Sequence, residues 1–151
     1  GPNEYHKDDM ASVALKAFRQ ARDTGAIRLF KSYNAAFADG EQKRDFIYVR
    51  DVVETLYAML RYGETSGVYN LGTGQARSWN DLANAVFAAM GKSPQIEYID
   101  MPAAVRAHYQ YFTEADMSKL KETRFYKPPT NLEEGVHDYV RGFLLQNEAY
   151  W

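Results

Sequence analysis

Stretches with helical apolar spacing alternate along this chain with short runs of strand length, and caps or glycines mark most of the changes. That alternation commits the chain to helices packed on strands, so the expected class is α/β. The first helical stretch runs from about Met10 to Arg22, with Met10, Val13, Ala14, Ala17, Phe18 and Ala21 on one face. Asp8 or Asp9 can cap it by accepting free backbone N–H groups, and Thr24-Gly25 stops it. Ile27 to Phe30 reads as a strand. Residues 31 to 44 form a polar and aromatic loop of a length that points to function.

A second strand is expected from Asp45 to Val49. Asp51 then caps a second helix, with Glu54 three residues on as its reciprocal partner. Val52, Val53, Leu56, Tyr57 and Leu60 make that helix's apolar stripe. Val68 to Leu71 reads as a short strand closed by Gly72-Thr73-Gly74. Ser78 or Asn80 caps a third helix that turns Trp79, Leu82, Ala83, Val86, Phe87 and Met90 inward, and Gly91 ends it. Ile96 to Ile99 is another strand. Thr113 with Asp116, and Asn131 with Glu134, mark two further helix starts.

At 151 residues the chain suits one compact unit, residues 1–151. A net charge of −2 supplies no basic field for nucleic acid. No apolar run approaches the ~20 residues that span a bilayer. The chain has no cysteine, which excludes disulfides and thiolate metal sites and fits a reducing compartment. Twelve tyrosines raise the aromatic share to 15%. They serve either core and interface packing or a surface that stacks on sugars and bases.

Several residues could carry chemistry. Lys7 stands near a helix start, where a positive charge opposes the helix dipole. On the residues alone it is a solvated lysine balanced by Asp8 and Asp9. Arg44 follows the long loop, where a guanidinium can grip a diphosphate with two parallel hydrogen bonds, or pair with Asp45 or Glu41. Phe30 can be core, Tyr33 a loop anchor, and Tyr109 a packed member of the cluster His108 to Phe112. Gly72-x-Gly74 lacks the third glycine and the βαβ setting of a dinucleotide loop, so it is assigned no cofactor role. His6, His108 and His137 show no metal-ligand spacing, so no metal is expected.

Three blocks carry a family resemblance: Gly1-Pro2-Asn3-Glu4-Tyr5-His6-Lys7-Asp8-Asp9-Met10-Ala11-Ser12-Val13, Lys43-Arg44-Asp45-Phe46-Ile47-Tyr48-Val49-Arg50-Asp51-Val52, and Tyr69-Asn70-Leu71-Gly72-Thr73-Gly74. With them the chain resembles the second half of an extended short-chain dehydrogenase/reductase, and most closely the ADP-L-glycero-D-manno-heptose 6-epimerase family. The resemblance covers essentially all 151 residues. It implies the C-terminal substrate-binding part of a Rossmann-type fold, with the N-terminal dinucleotide-binding part absent. No Gly-rich loop opens the chain and no Tyr-x-x-x-Lys pair occurs in it.

The resemblance also implies roles. Lys7 becomes a catalytic proton acceptor that also contacts the cofactor, opposite a tyrosine this chain lacks. Asp9, Lys16, Phe30, Lys31, Ser32, Tyr33, Arg44 and Tyr109 become substrate contacts. Asp8-Asp9 departs from the family pattern, where Gly and a small or basic residue are common, and Lys16 stands where some relatives have His. The implied cofactor is NADP and the implied substrate is ADP-D-glycero-β-D-manno-heptose. Transient oxidation and re-reduction would invert C6, in a cytoplasmic homo-oligomer that serves lipopolysaccharide core synthesis. Segments such as 45–60 would pack on the missing cofactor domain, and the chain alone would be inactive. Two other readings stay open: another extended reductase acting on UDP-sugars, and a non-catalytic module that binds a nucleotide sugar or a protein partner.

Overall fold

The structure, a computed structural model, describes residues 1–63 and 66–146. Residues 64, 65 and 147–151, which the sequence reading includes in its single unit, lie outside them. The architecture is α/β, as expected. A 3-10 turn at Tyr5–Met10 leads into α1 (Val13–Asp23), β1 (Ile27–Phe30), β2 (Lys43–Arg44) and α2 (Val49–Tyr62). Then come β3 (Arg77–Ser78), α3 (Trp79–Met90), β4 (Ile96–Ile99), and the short helices α4 (Ala103–Arg106) and α5 (Ser118–Lys121). α6 (Leu132–Tyr139) closes the fold and runs into a π-helical turn, Val140–Leu144. β1 pairs in parallel with β4, Ile27 opposite Ile96, and β2 pairs antiparallel with β3.

α3 is the centre of the fold. Ser78 caps it reciprocally with Asp81, and Gly91 ends it in the left-handed region at φ 68°. Its alanines let α1 and α6 approach closely, while Leu82, Val86 and Phe87 fill the space between them. Phe87 and Val86 are fully buried. Burial of a side chain like Phe87 contributes roughly 1.5–3 kcal/mol relative to exposure. A smaller cluster gathers Ala58, Met117, Leu120 and Phe125.

Several expectations need correction. α1 starts at Val13, not Met10, and its cap is Ser12, whose Oγ accepts the Leu15 N–H at 3.2 Å. Asp8 and Asp9 fall inside the preceding 3-10 turn, and Met10 is 84% exposed. The strand expected over Asp45 to Val49 is only Lys43–Arg44. Its partner, Arg77–Ser78, stops there because Ser78 becomes the cap of α3. α2 follows Tyr48, and Asp51 does not cap it. The Asp51 carboxylate instead accepts the Thr130 N–H (2.9 Å) and hydroxyl (2.8 Å).

The α2 stripe is also reversed. Thr55 and Ala58 face inward, whereas Val53, Leu56, Tyr57 and Leu60 are exposed, Leu60 by 86%. Nothing among the described residues covers that face. Val68 to Leu71 forms no ladder and Val68 is 86% exposed, because no described strand lies beside it. Thr113 starts no helix. Asp116 instead accepts the Ser118 N–H (2.9 Å) and hydroxyl (2.6 Å), and the short α5 begins there. Asn131 caps α6 through the Glu134 N–H, as expected, and His137 is exposed on that helix.

Candidate functional site

Arg44 and Tyr109 come together. The Arg44 guanidinium lies 5.3 Å from the Tyr109 ring centroid and 5.8 Å from that of Trp79. Its Nη1 donates to the Lys43 carbonyl at 2.8 Å and its Nη2 to the Gln110 carbonyl. The β2–β3 ladder holds this position, and Lys43 is locked to the 111–113 segment by bonds to Tyr111 and Thr113. The Trp79 indole N–H donates to the Tyr109 hydroxyl at 2.8 Å. Burial raises the Tyr109 phenol above its ordinary value, against the opposing pull of the Trp79 bond and the Arg44 charge. Phe30, Val13, Trp79 and Tyr109 line a cleft of about 160 Å³, so Phe30 joins this group.

Lys31, Ser32 and Tyr33 form an adjoining group on the loop after β1. Gln42, wholly buried, donates to the Phe30 and Lys31 carbonyls and fixes the loop's start. The Ser32 N–H donates to Asp39 at 2.7 Å. Lys31 and the Tyr33 hydroxyl converge on one oxygen of Asp100, at 3.2 and 3.0 Å. The Asp100 bond and charge raise the pKa of Lys31, and the same contacts lower that of Asp100. The Arg106 guanidinium covers the Tyr33 ring at 3.4 Å. The Tyr33 N–H donates to the Tyr111 hydroxyl, and Tyr111 packs edge-on against Tyr109, so the two groups are contiguous.

Lys7, Asp9 and Lys16 lie apart. Lys7 is exposed in the 3-10 turn, and no ion pair forms to it among the described residues. Lys16 Nζ donates to the Asp9 carbonyl at 2.5 Å, so the Asp9 backbone rather than its carboxylate makes that contact. No hydrogen bond or ion pair among the described residues links these three to Arg44 or Tyr109. Asp8 carries φ 42° and ψ −116°, a conformation glycine tolerates and other residues resist.

Sequence reasoning missed two carboxylates that organise the site. Asp45 accepts the N–H groups of Thr73 (2.7 Å), Gly74 (2.9 Å) and Ala115 (3.0 Å). Burial would raise its pKa, but these bonds and the Thr73 hydroxyl outweigh it and hold it low. In the Gly72–Gly74 turn the Thr73 and Gly74 N–H groups are thus committed to Asp45, and the Gly72 N–H donates to Met117 Sδ at 3.2 Å. A Cβ at Gly72 would lie 2.4 Å from Asp45 Oδ2. Glu4, 6% exposed, accepts from the Ser12 N–H and hydroxyl and from the Tyr139 hydroxyl at 2.8 Å. Burial opposes its charge, yet these bonds lower its pKa. It ties the Lys7 turn to α1 and α6. The sequence carried no signal for either arrangement, since every Asp45 partner lies at least 28 positions away and Glu4 joins Ser12, eight positions on, to Tyr139, 135 positions on.

No group of His, Asp and Glu that could hold a metal occurs among the described residues. Nor is any helix among them long and apolar enough to cross a membrane.

Residues 1–72 match the NAD dependent epimerase/dehydratase family. The chain is 54% identical over 150 residues to ADP-L-glycero-D-manno-heptose-6-epimerase of Nitratidesulfovibrio vulgaris (strain DP4), an alignment covering 99% of this chain and 46% of that protein. It is 46% identical to the enzyme of the same name from Fusobacterium nucleatum, across 99% of this chain and 47% of that protein. The chain therefore spans under half the length of the curated relatives it matches. The crystal structure of Helicobacter pylori ADP-L-glycero-D-manno-heptose-6-epimerase superposes with a TM-score of 0.75 at 30% identity, over 94% of this chain and 40% of that one. A UDP-N-acetylglucosamine 4-epimerase from Methanobrevibacter ruminantium M1 superposes at 0.76 but with 22% identity, which speaks to fold alone. The resemblance expected from sequence holds across the chain, and the fold is that of part of an extended short-chain dehydrogenase/reductase.

Proposed function

We propose, from this kinship with ADP-heptose epimerases, that the chain is the substrate-binding part of an enzyme that inverts C6 of ADP-D-glycero-β-D-manno-heptose. Arg44 beside Tyr109 is the observation that carries the reading. A guanidinium held against two aromatic rings at the rim of an apolar cleft suits a nucleotide diphosphate with a flat base or sugar nearby. Phe30 supplies cleft wall. Lys31, Ser32 and Tyr33 offer donors next to it, and Asp100 occupies two of them in the free chain. Asp9 and Lys16 contribute at the far edge of the site, where Lys16 holds the turn that carries Lys7.

Lys7 acts as the proton acceptor at the sugar hydroxyl and borders the nicotinamide. Its exposure leaves the side-chain nitrogen accessible to a ligand, and Glu4 anchors its turn from below. Inversion needs a second acid/base group on the opposite face of the reacting carbon. No tyrosine of this chain is read as that group, so it belongs to a segment outside these residues. The same holds for the dinucleotide cradle, NADP in this reading, which supplies the hydride chemistry when bound. The exposed α2 face forms the surface on which that cofactor-binding segment docks. The chain by itself is inactive, and the full enzyme is a cytoplasmic homo-oligomer of lipopolysaccharide core synthesis.

Calorimetric titration of the chain with ADP-D-glycero-β-D-manno-heptose and with UDP-glucose tests the reading. Tighter binding of the ADP-sugar supports it. Preference for the UDP-sugar would move the chain to the 4-epimerases or dehydratases.

A further inference from the structure

We infer that Trp79 is a positioning residue that sets Tyr109 to donate its phenolic hydrogen bond to an anionic oxygen of the ligand beside Arg44. The inference rests on reading Arg44 and Tyr109 as nucleotide-sugar contacts. Trp79 was expected only as a core residue of α3, yet it is half-buried and polar-engaged.

An indole N–H donates and has no lone pair with which to accept. In the 2.8 Å pair with Tyr109, the phenol oxygen is therefore the acceptor. The phenol's own proton is left over, and no acceptor for it occurs among the described residues. A hydroxyl fixed as donor, next to a permanent cation, matches a phosphate oxygen and mismatches a ligand group that must itself donate. Arg44 adds to the match, since two of its nitrogens are spent on backbone carbonyls and its Nε–H remains uncommitted among the described residues.

Trp79 is held in turn. It is the first residue of α3, directly behind the Ser78 cap, and Phe46 packs edge-on against it at 5.1 Å. Its ring borders both the 160 Å³ cleft and a second cleft of about 370 Å³ behind Phe46. The indole thus stands as a fixed wall, with its one polar atom turned to Tyr109.

The test is a calorimetric double-mutant cycle on the chain with inorganic pyrophosphate, repeated with ADP-D-glycero-β-D-manno-heptose. Trp79→Phe keeps a ring and removes the N–H. It should weaken pyrophosphate binding about tenfold, the scale of a hydrogen bond to a charged group. Tyr109→Phe should do the same, and the double variant should bind no more weakly than Tyr109→Phe alone. A Trp79→Phe loss that persists in full without the Tyr109 hydroxyl would reveal a merely structural role and overturn the inference. So would an undiminished affinity of Trp79→Phe, or absence of pyrophosphate binding to the unaltered chain. Unchanged melting temperatures of both single variants confirm that binding, not folding, is read. A coupled result with pyrophosphate but no preference for ADP-heptose over UDP-glucose would sustain this inference while removing the proposed substrate.

Discussion

The Asp45 carboxylate and Thr73 are joined twice, through the Thr73 N–H at 2.7 Å and through its hydroxyl. The bond couples the segment carrying Arg44 to the glycine turn 28 positions later, and Gly74 and Ala115 complete the carboxylate's shell. Asp45→Ala strands three backbone donors at once. It should destabilise the chain by about 2–4 kcal/mol, since each buried donor left unmade costs about 1–3 kcal/mol and partial hydration recovers some of it. Urea denaturation checks this, and a loss under 0.5 kcal/mol would show the turn to be self-supporting.

Stability should fall on the acid side. Glu4 and Asp45 both have folded values held below their unfolded ones, which lie near 4.3 and 3.9. A depressed carboxylate contributes stability that is present above the unfolded value and lost as pH falls through the folded one. Melting temperature should therefore hold level above about pH 5 and drop below about pH 4. In Glu4→Gln the drop should be shallower, because one proton-linked group is gone. Curves of equal steepness would remove Glu4 from the linkage.

Asp8→Gly should stabilise the 3-10 turn. The backbone at Asp8 sits at positive φ, and such strain costs on the order of 1–3 kcal/mol. Glycine's extra unfolded-state entropy takes back about 0.5–1 kcal/mol. A net gain of about 1 kcal/mol is expected in thermal melting. A loss would show that the Asp8 side chain contributes more than its backbone costs.

The exposed α2 face should make the isolated chain self-associate. Val53, Leu56, Tyr57 and Leu60 form a contiguous apolar row of the kind that marks an interaction surface. Leu56→Lys with Leu60→Lys should lower the light-scattering mass at high concentration. Stability should move by no more than about 0.5 kcal/mol, as for surface sites. A large drop in melting temperature would mean the row is packed in solution.

What the sequence disclosed and what it hid divide along physical lines. Local signals read correctly: the Ser78 and Asn131 caps, the Gly91 stop, and the strands Ile27–Phe30 and Ile96–Ile99 all act within a few residues. Errors arose where a distant partner decides. An aspartate at a helix start reads as a cap, yet Asp51 serves Thr130 and Asp9 sits in a tighter turn. The α2 period marks an apolar stripe without saying what covers it. Arg44, Tyr109 and Phe30 come together in the structure from segments far apart in the chain. Trp79 and Asp100 could not be seen to join them, because a residue that packs and a residue that binds share one sequence signal.

The most direct measurement follows C6 inversion by proton NMR. The full-length protein of the native source that carries this sequence is incubated with NADP⁺ and ADP-D-glycero-β-D-manno-heptose, beside the 151-residue chain alone. L-glycero product is expected from the full-length protein and none from the chain. No conversion by the full-length protein, or 4-epimerisation of a UDP-sugar in its place, would contradict the proposed function.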